Sequence, residues 1–140
     1  MKTKKIWANM AVEDVEQTRK FYLELGFKPN GPQTSEKLAS FLVGEDEFVM
    51  HFFRKDRFEL GTETKAADIS EGSEVMFTLS ADSKQEVNDW AEAVRKANGT
   101  IVFDPEKDEN KMFEENDYYV LVFADPDGHK FNVFFNGNKK

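Results

Sequence analysis

Residues 6–27 read IWANMAVEDVEQTRKFYLELGF, and the change of period inside this stretch decides the fold. From Ile6 to Val12 the side chains alternate, with Trp7, Asn9 and Ala11 on one side and Ile6, Ala8, Met10 and Val12 on the other, which is the pattern of a strand with one core face. At Asp14 the period changes. Asp14 can cap free backbone amides, Gln17 occupies the capping-box position, and Val15, Thr18, Phe21, Tyr22 and Leu25 form a stripe at helical spacing. Gly26 supplies a left-handed stop.

Outward from this stretch, Phe27 to Asn30 predicts a short strand. Leu38 to Val43 and Glu47 to Phe53 predict a hairpin around Gly44, Glu45 and Asp46. The same order then returns. A strand is expected from Glu74 to Leu79, then a helix capped by Ser83 with Glu86 at its capping-box position and a stripe of Val87, Trp90, Ala91, Val94 and Ala97. Gly99 is read as the stop of this helix. Ile101 to Phe103, Tyr118 to Phe123 and Lys130 to Phe135 are read as strands, the last two joined by the turn Asp125-Pro126-Asp127-Gly128. The expected architecture is α+β, two copies of β-α-β-β-β in one domain. Module 1 covers about residues 1–56, a polar linker 57–72, and module 2 about 73–140. The acidic segment 104–117, with Met112 and Phe113 in its middle, reads as a solvated connection whose two apolar residues tuck onto the core, with a flap over a ligand as the competing role.

Composition limits the partners. The chain has 140 residues, a net charge of -8 and 39% hydrophobic residues, enough apolar material for a packed core and the wrong sign for phosphate backbones or anionic lipid. Nucleic acid and membrane partners are therefore not expected. With 0 cysteines there is no disulfide, thiolate metal site or catalytic thiol, and a cytoplasmic location is expected. No apolar run approaches the roughly 20 residues of a membrane span.

The punctuation Val12-Glu13-Asp14-Val15, Phe21-Tyr22 and Leu25-Gly26-Phe27 resembles the opening of the vicinal oxygen chelate superfamily. That superfamily includes glyoxalase I, bleomycin-resistance proteins, fosfomycin-resistance enzymes and extradiol dioxygenases. Phe123-Ala124-Asp125-Pro126-Asp127-Gly128-His129 resembles the turn before its last strand. The resemblance covers essentially the whole chain. It implies paired modules whose curved mixed sheets form a cleft, commonly completed in a homodimer, with a ligand and often a divalent metal inside.

In metal-dependent relatives the ligands come from the first and last strands of each module. The matching positions here are Trp7, Glu74, Asn132 and Met50, with His51 in place of Met50 if the strand register is shifted by one. Such ions want several histidine or carboxylate donors, and this set supplies few. No metal or other cofactor is therefore expected, and His51 and Glu74 are the candidate ligands if one binds. Bleomycin-resistance relatives need no metal and sequester a cationic drug in an acidic, aromatic-lined groove.

The leading expectation is a metal-free homodimer that binds a small aromatic or cationic organic molecule through Trp7, Met50, Phe52, Glu74, Asn132 and Phe134. Phe48 is a further plausible cleft wall. Trp7 offers a flat surface for stacking or for a cation, with plain packing as the competing role. Asn132 would orient a ligand by hydrogen bonding, and Glu74 would act as a charge or as an acid or base. His51 is flanked by apolar residues and His129 lies at a turn outside the expected site. No nucleophile and base pair is apparent, so catalysis is left open. Two other readings compete: a divalent-metal-dependent lyase or dioxygenase with an atypical ligand set, and a scaffold kept as a protein-interaction module.

Overall fold

The computed structural model describes residues 1–108 and 117–138. The chain divides into two compact units, Met1–Asp68 and Ile69–Lys140. Each carries a four-stranded mixed sheet with a helix packed on one face, and the two sheets have equivalent strand orders.

In the first unit, β1 (Ala8–Val12) leads into α1 (Val15–Leu25), followed by β2 (Lys28–Pro29), β3 (Leu38–Val43) and β4 (Phe48–Arg54). The sheet order is β1-β4-β3-β2, with β1 parallel to β4 and the other pairs antiparallel. The Asp14 carboxylate accepts from the Gln17 amide at 3.1 Å, and Gly26 adopts the left-handed conformation at φ 98°. Both ends of α1 thus form as its sequence dictates. The helix buries Val15, Thr18, Phe21, Tyr22 and Leu25. Tyr22 stacks on Phe52 with ring centroids 4.5 Å apart, and Phe41 and Phe27 close round it at 5.6 and 5.0 Å. This aromatic cluster is the core of the first unit.

The stretch expected to be a linker contains a helix, α2 (Lys55–Thr62). It buries no residue and carries no apolar stripe, so the pattern that marks α1 and α3 is missing from its sequence. Phe52, expected on a cleft wall, lies instead in the core, and Phe48 shares its face of β4.

The second unit repeats the plan: β5 (Met76–Ser80), α3 (Lys84–Lys96), β6 (Thr100–Phe103), a single 3-10 turn at Pro105–Lys107, β7 (Tyr118–Ala124) and β8 (Lys130–Asn136). Its sheet order is β5-β8-β7-β6, again with the first and last strands parallel. Ser83 caps α3 by accepting from the Glu86 amide at 3.0 Å. The left-handed residue at the end of α3 is Asn98 at φ 67°, not Gly99, because asparagine tolerates that conformation and takes the position first. Under the helix, Trp90, Phe123 and Phe131 stack with nearly parallel planes, 6.4 and 5.2 Å between successive centroids. Met112 and Phe113 lie outside the described residues.

Candidate functional site

Each sheet has one face covered by its helix and one open face, and strand alternation assigns every candidate to one or the other. On β4, Met50 and Phe52 point to α1 and are 1% and 0% exposed. Neither can line the open face. The expected register was one residue off, and the physical reason is the Tyr22–Phe52 stack, which fixes the even-numbered residues of β4 beneath the helix. His51 therefore belongs to the open face, between Asn9 of β1 and Ser40 of β3.

Trp7, one residue before β1, is 50% exposed and meets His51 edge-on, with ring centroids 6.4 Å apart. Phe53 flanks His51 at 5.6 Å. The first open face thus brings together Trp7 and His51, with a row of neutral polar groups running across it: Asn9, His51, Ser40 and Asn30, whose Nδ2 donates to Ser40 Oγ at 2.9 Å.

This row rests on a buried arginine absent from the residues expected at the site. Arg19 donates through Nε to Gln33 at 3.2 Å and through one terminal nitrogen to the carbonyls of Ser35 and Leu38 at 2.6 and 3.0 Å, while the other pairs with Glu16. Gln33 in turn donates to the Ser40 carbonyl at 3.3 Å. The signal available in sequence was a charged residue next to Thr18 inside the apolar stripe of α1, since a buried arginine must satisfy its donors.

On the second open face, Asn132 and Phe134 stand side by side on β8. The Thr78 hydroxyl donates to Asn132 Oδ1 at 2.5 Å, which engages the carbonyl end of the amide. Phe134 meets Tyr118 edge-on at 5.0 Å. Glu74 lies outside the strand. It is exposed and lies two residues before β5, because the strand begins at Met76 and not at Glu74.

A divalent metal does not fit the residues of the first face. Trp7 offers no ligand atom there and Met50 is in the core, leaving His51. Its Nδ1 is buried, with no hydrogen-bond partner among the described residues. A histidine that ligates through Nε2 carries its proton on Nδ1 and hydrogen-bonds it to an acceptor, and the described residues offer His51 none. Ligation through Nδ1 is closed off by its burial. Among the described residues, the one grouping of three potential ligands is Asp125, Asp127 and His129, in the turn before β8. There Oδ1 of Asp125 accepts from the backbone amides of Asp127, Gly128 and His129 at 3.0, 2.9 and 2.9 Å, and Oδ2 lies 2.8 Å from His129 Nδ1. That carboxylate organises the turn.

Burial pushes the His51 imidazole below the ordinary histidine range. The unfolded chain then binds a proton that the folded chain refuses, so this residue's contribution is full above the ordinary histidine value and is lost as pH falls toward the depressed one. Between about pH 7.5 and about pH 5, wild type is expected to lose more thermal stability than His51→Gln. Parallel unfolding curves at the two pH values check this; an equal loss in both proteins contradicts it.

The twin helix-backed sheets define a protein of the paired β-α-β-β-β class. The chain belongs to the Glyoxalase/Bleomycin resistance protein/Dioxygenase superfamily, whose sequence model matches residues 6–133. Among solved structures it is similar to a hypothetical protein from S. aureus, at 26% identity and a TM-score of 0.77, covering 96% of this chain and 95% of that one. A glyoxalase-related enzyme from Fulvimarina pelagi matches at 17% identity and a TM-score of 0.76, covering 96% and 89%. Lactoylglutathione lyase from Agrobacterium tumefaciens matches at 17% identity and a TM-score of 0.61, covering 95% and 94%. No curated protein matches the sequence significantly. No helix among the described residues is long and apolar enough to cross a membrane.

Proposed function

We propose that this protein binds a small aromatic or cationic organic molecule without a metal, against the open face that carries Trp7. The observation that carries the reading is the half-exposed Trp7 beside His51, an indole surface available for stacking or for a cation over its ring. The acidic balance of the chain favours cationic or neutral ligands over anionic ones. A homodimer in a reducing compartment is part of the same reading, supported by the family and by the lack of cysteine. The donor set argues against the metal-assisted lyase and dioxygenase chemistry known among relatives, because that chemistry needs an ion held by several histidines or carboxylates.

The test is thermal unfolding of chelator-stripped protein titrated separately with manganese, iron(II), nickel and zinc, and with quinoline and N-methylquinolinium. A ligand of the native state raises stability by mass action, about 2.7 kcal/mol at 100 times its dissociation constant. The expected result is a saturable rise with at least one organic probe, lost in Trp7→Ala, and no saturable rise with the metals. A saturable metal response that disappears in His51→Ala would overturn the proposal.

A further inference from the structure

The imidazole of His51 is held in an unusual way. It stands on the open face of the first sheet between Trp7 and Phe53, at 6.4 and 5.6 Å between ring centroids, and in the middle of the neutral row Asn9, His51, Ser40. The ring nitrogen Nδ1 is sealed from solvent and has no hydrogen-bond partner among the described residues. A neutral imidazole has one N–H and one bare nitrogen. Burying an N–H without an acceptor is the costlier choice, since orphaned donors are rarer in native structures than under-satisfied acceptors. The bare nitrogen therefore belongs at Nδ1 and the proton at Nε2. An imidazolium would place an N–H at both positions and meets the same obstacle at Nδ1.

We propose that His51 is a fixed, neutral Nε2–H donor that selects ligands presenting a hydrogen-bond acceptor, a ring nitrogen or carbonyl oxygen, on a flat aromatic frame that Trp7 stacks. This rests on the function proposed above and names the chemistry that the same face selects. Asn9 and Ser40, neighbours of His51 in the row, carry no charge, which suits a neutral acceptor.

Two measurements test it. Long-range proton–nitrogen correlation spectra of the nitrogen-15-labelled protein at neutral pH report which ring nitrogen is protonated. The chain has 2 histidines, so the His51→Gln spectrum assigns the signals by difference. The expected pattern is Nε2–H with bare Nδ1; an Nδ1–H tautomer or an imidazolium overturns the assignment, whatever the protein binds. The second is a Trp-fluorescence titration with quinoline, naphthalene and N-methylquinolinium, which share a frame but differ in acceptor and charge. Quinoline is expected to bind about ten-fold more tightly than naphthalene, the equivalent of one hydrogen bond. That preference is expected to vanish in His51→Phe and to return in part in His51→Gln, whose amide restores a donor. Equal affinity for quinoline and naphthalene overturns the ligand class while leaving aromatic binding intact. Failure of all three probes to bind overturns the ligand class together with the proposed function, whereas the tautomer spectrum decides the protonation of the imidazole in either case.

Discussion

Phe52→Ala is expected to cost about 3–5 kcal/mol of stability, the range for removing a fully buried aromatic ring whose surroundings cannot collapse into the space. Phe52 is fully buried, stacked on Tyr22 at 4.5 Å and edge-on to Phe41 at 6.3 Å, so the cavity would open at the centre of the first aromatic cluster. Whole-domain stabilities run to about 5–15 kcal/mol, so this single change removes a large share of what holds the first sheet to α1. Denaturant unfolding followed by far-ultraviolet circular dichroism measures it. The same substitution distinguishes the two possible registers of β4. Were Phe52 on the open face, its truncation would cost a few tenths of a kcal/mol and would alter ligand binding instead. Phe53→Ala, one residue along on the open face, is the matched control and is expected to be much milder.

The second large effect is expected at Asp125. Its buried carboxylate accepts three consecutive backbone amides and faces His129 Nδ1, so one side chain determines how β7 turns into β8. Asp125→Ala leaves those amides without their acceptor and is expected to cost on the order of 3 kcal/mol, hydrogen bonds to charged groups being the strong ones. Asp125→Asn keeps a carbonyl oxygen for the amides and should cost about a third as much. Unfolding midpoints of the two variants, compared at equal denaturant slope, give the answer. If Asp125→Asn is as damaging as Asp125→Ala, the carboxylate's charge matters more than its role as turn acceptor. The Gly128 conformation, φ 107°, belongs to the same device: it lets the chain reverse while its amide still points at Asp125.

How much of this was legible depends on whether a feature is local. The switch from alternation to helical spacing at Asp14, and its repetition at Ser83, contain the fold, because caps, stripes and strand periods are properties of consecutive residues. The turn before β8 is local in the same sense. Helix α2 escaped because it lacks an apolar stripe, and β5 starts two residues later than expected because Glu74 and Val75 extend an alternating pattern that the sheet does not use.

The candidate site was legible only in part. Alternation alone puts Asn132 and Phe134 on one face of β8, opposite the buried Phe131 and Val133. Met50 and Phe52 against His51 was a choice between two faces of one strand, and nothing within FVMHFF makes it. That choice was made by Tyr22, thirty residues from Phe52 in the chain and a ring's thickness away in space. The Arg19 network with Gln33, Ser35 and Leu38 is likewise a product of chain segments meeting. Sequence by itself determined the order of strands and capped helices in the two β-α-β-β-β repeats, though not α2, since those elements are written in the spacing of neighbouring residues. Only the tertiary structure decided which nitrogen of His51 is sealed and which side chains share its face, because packing between distant segments sets strand register and burial.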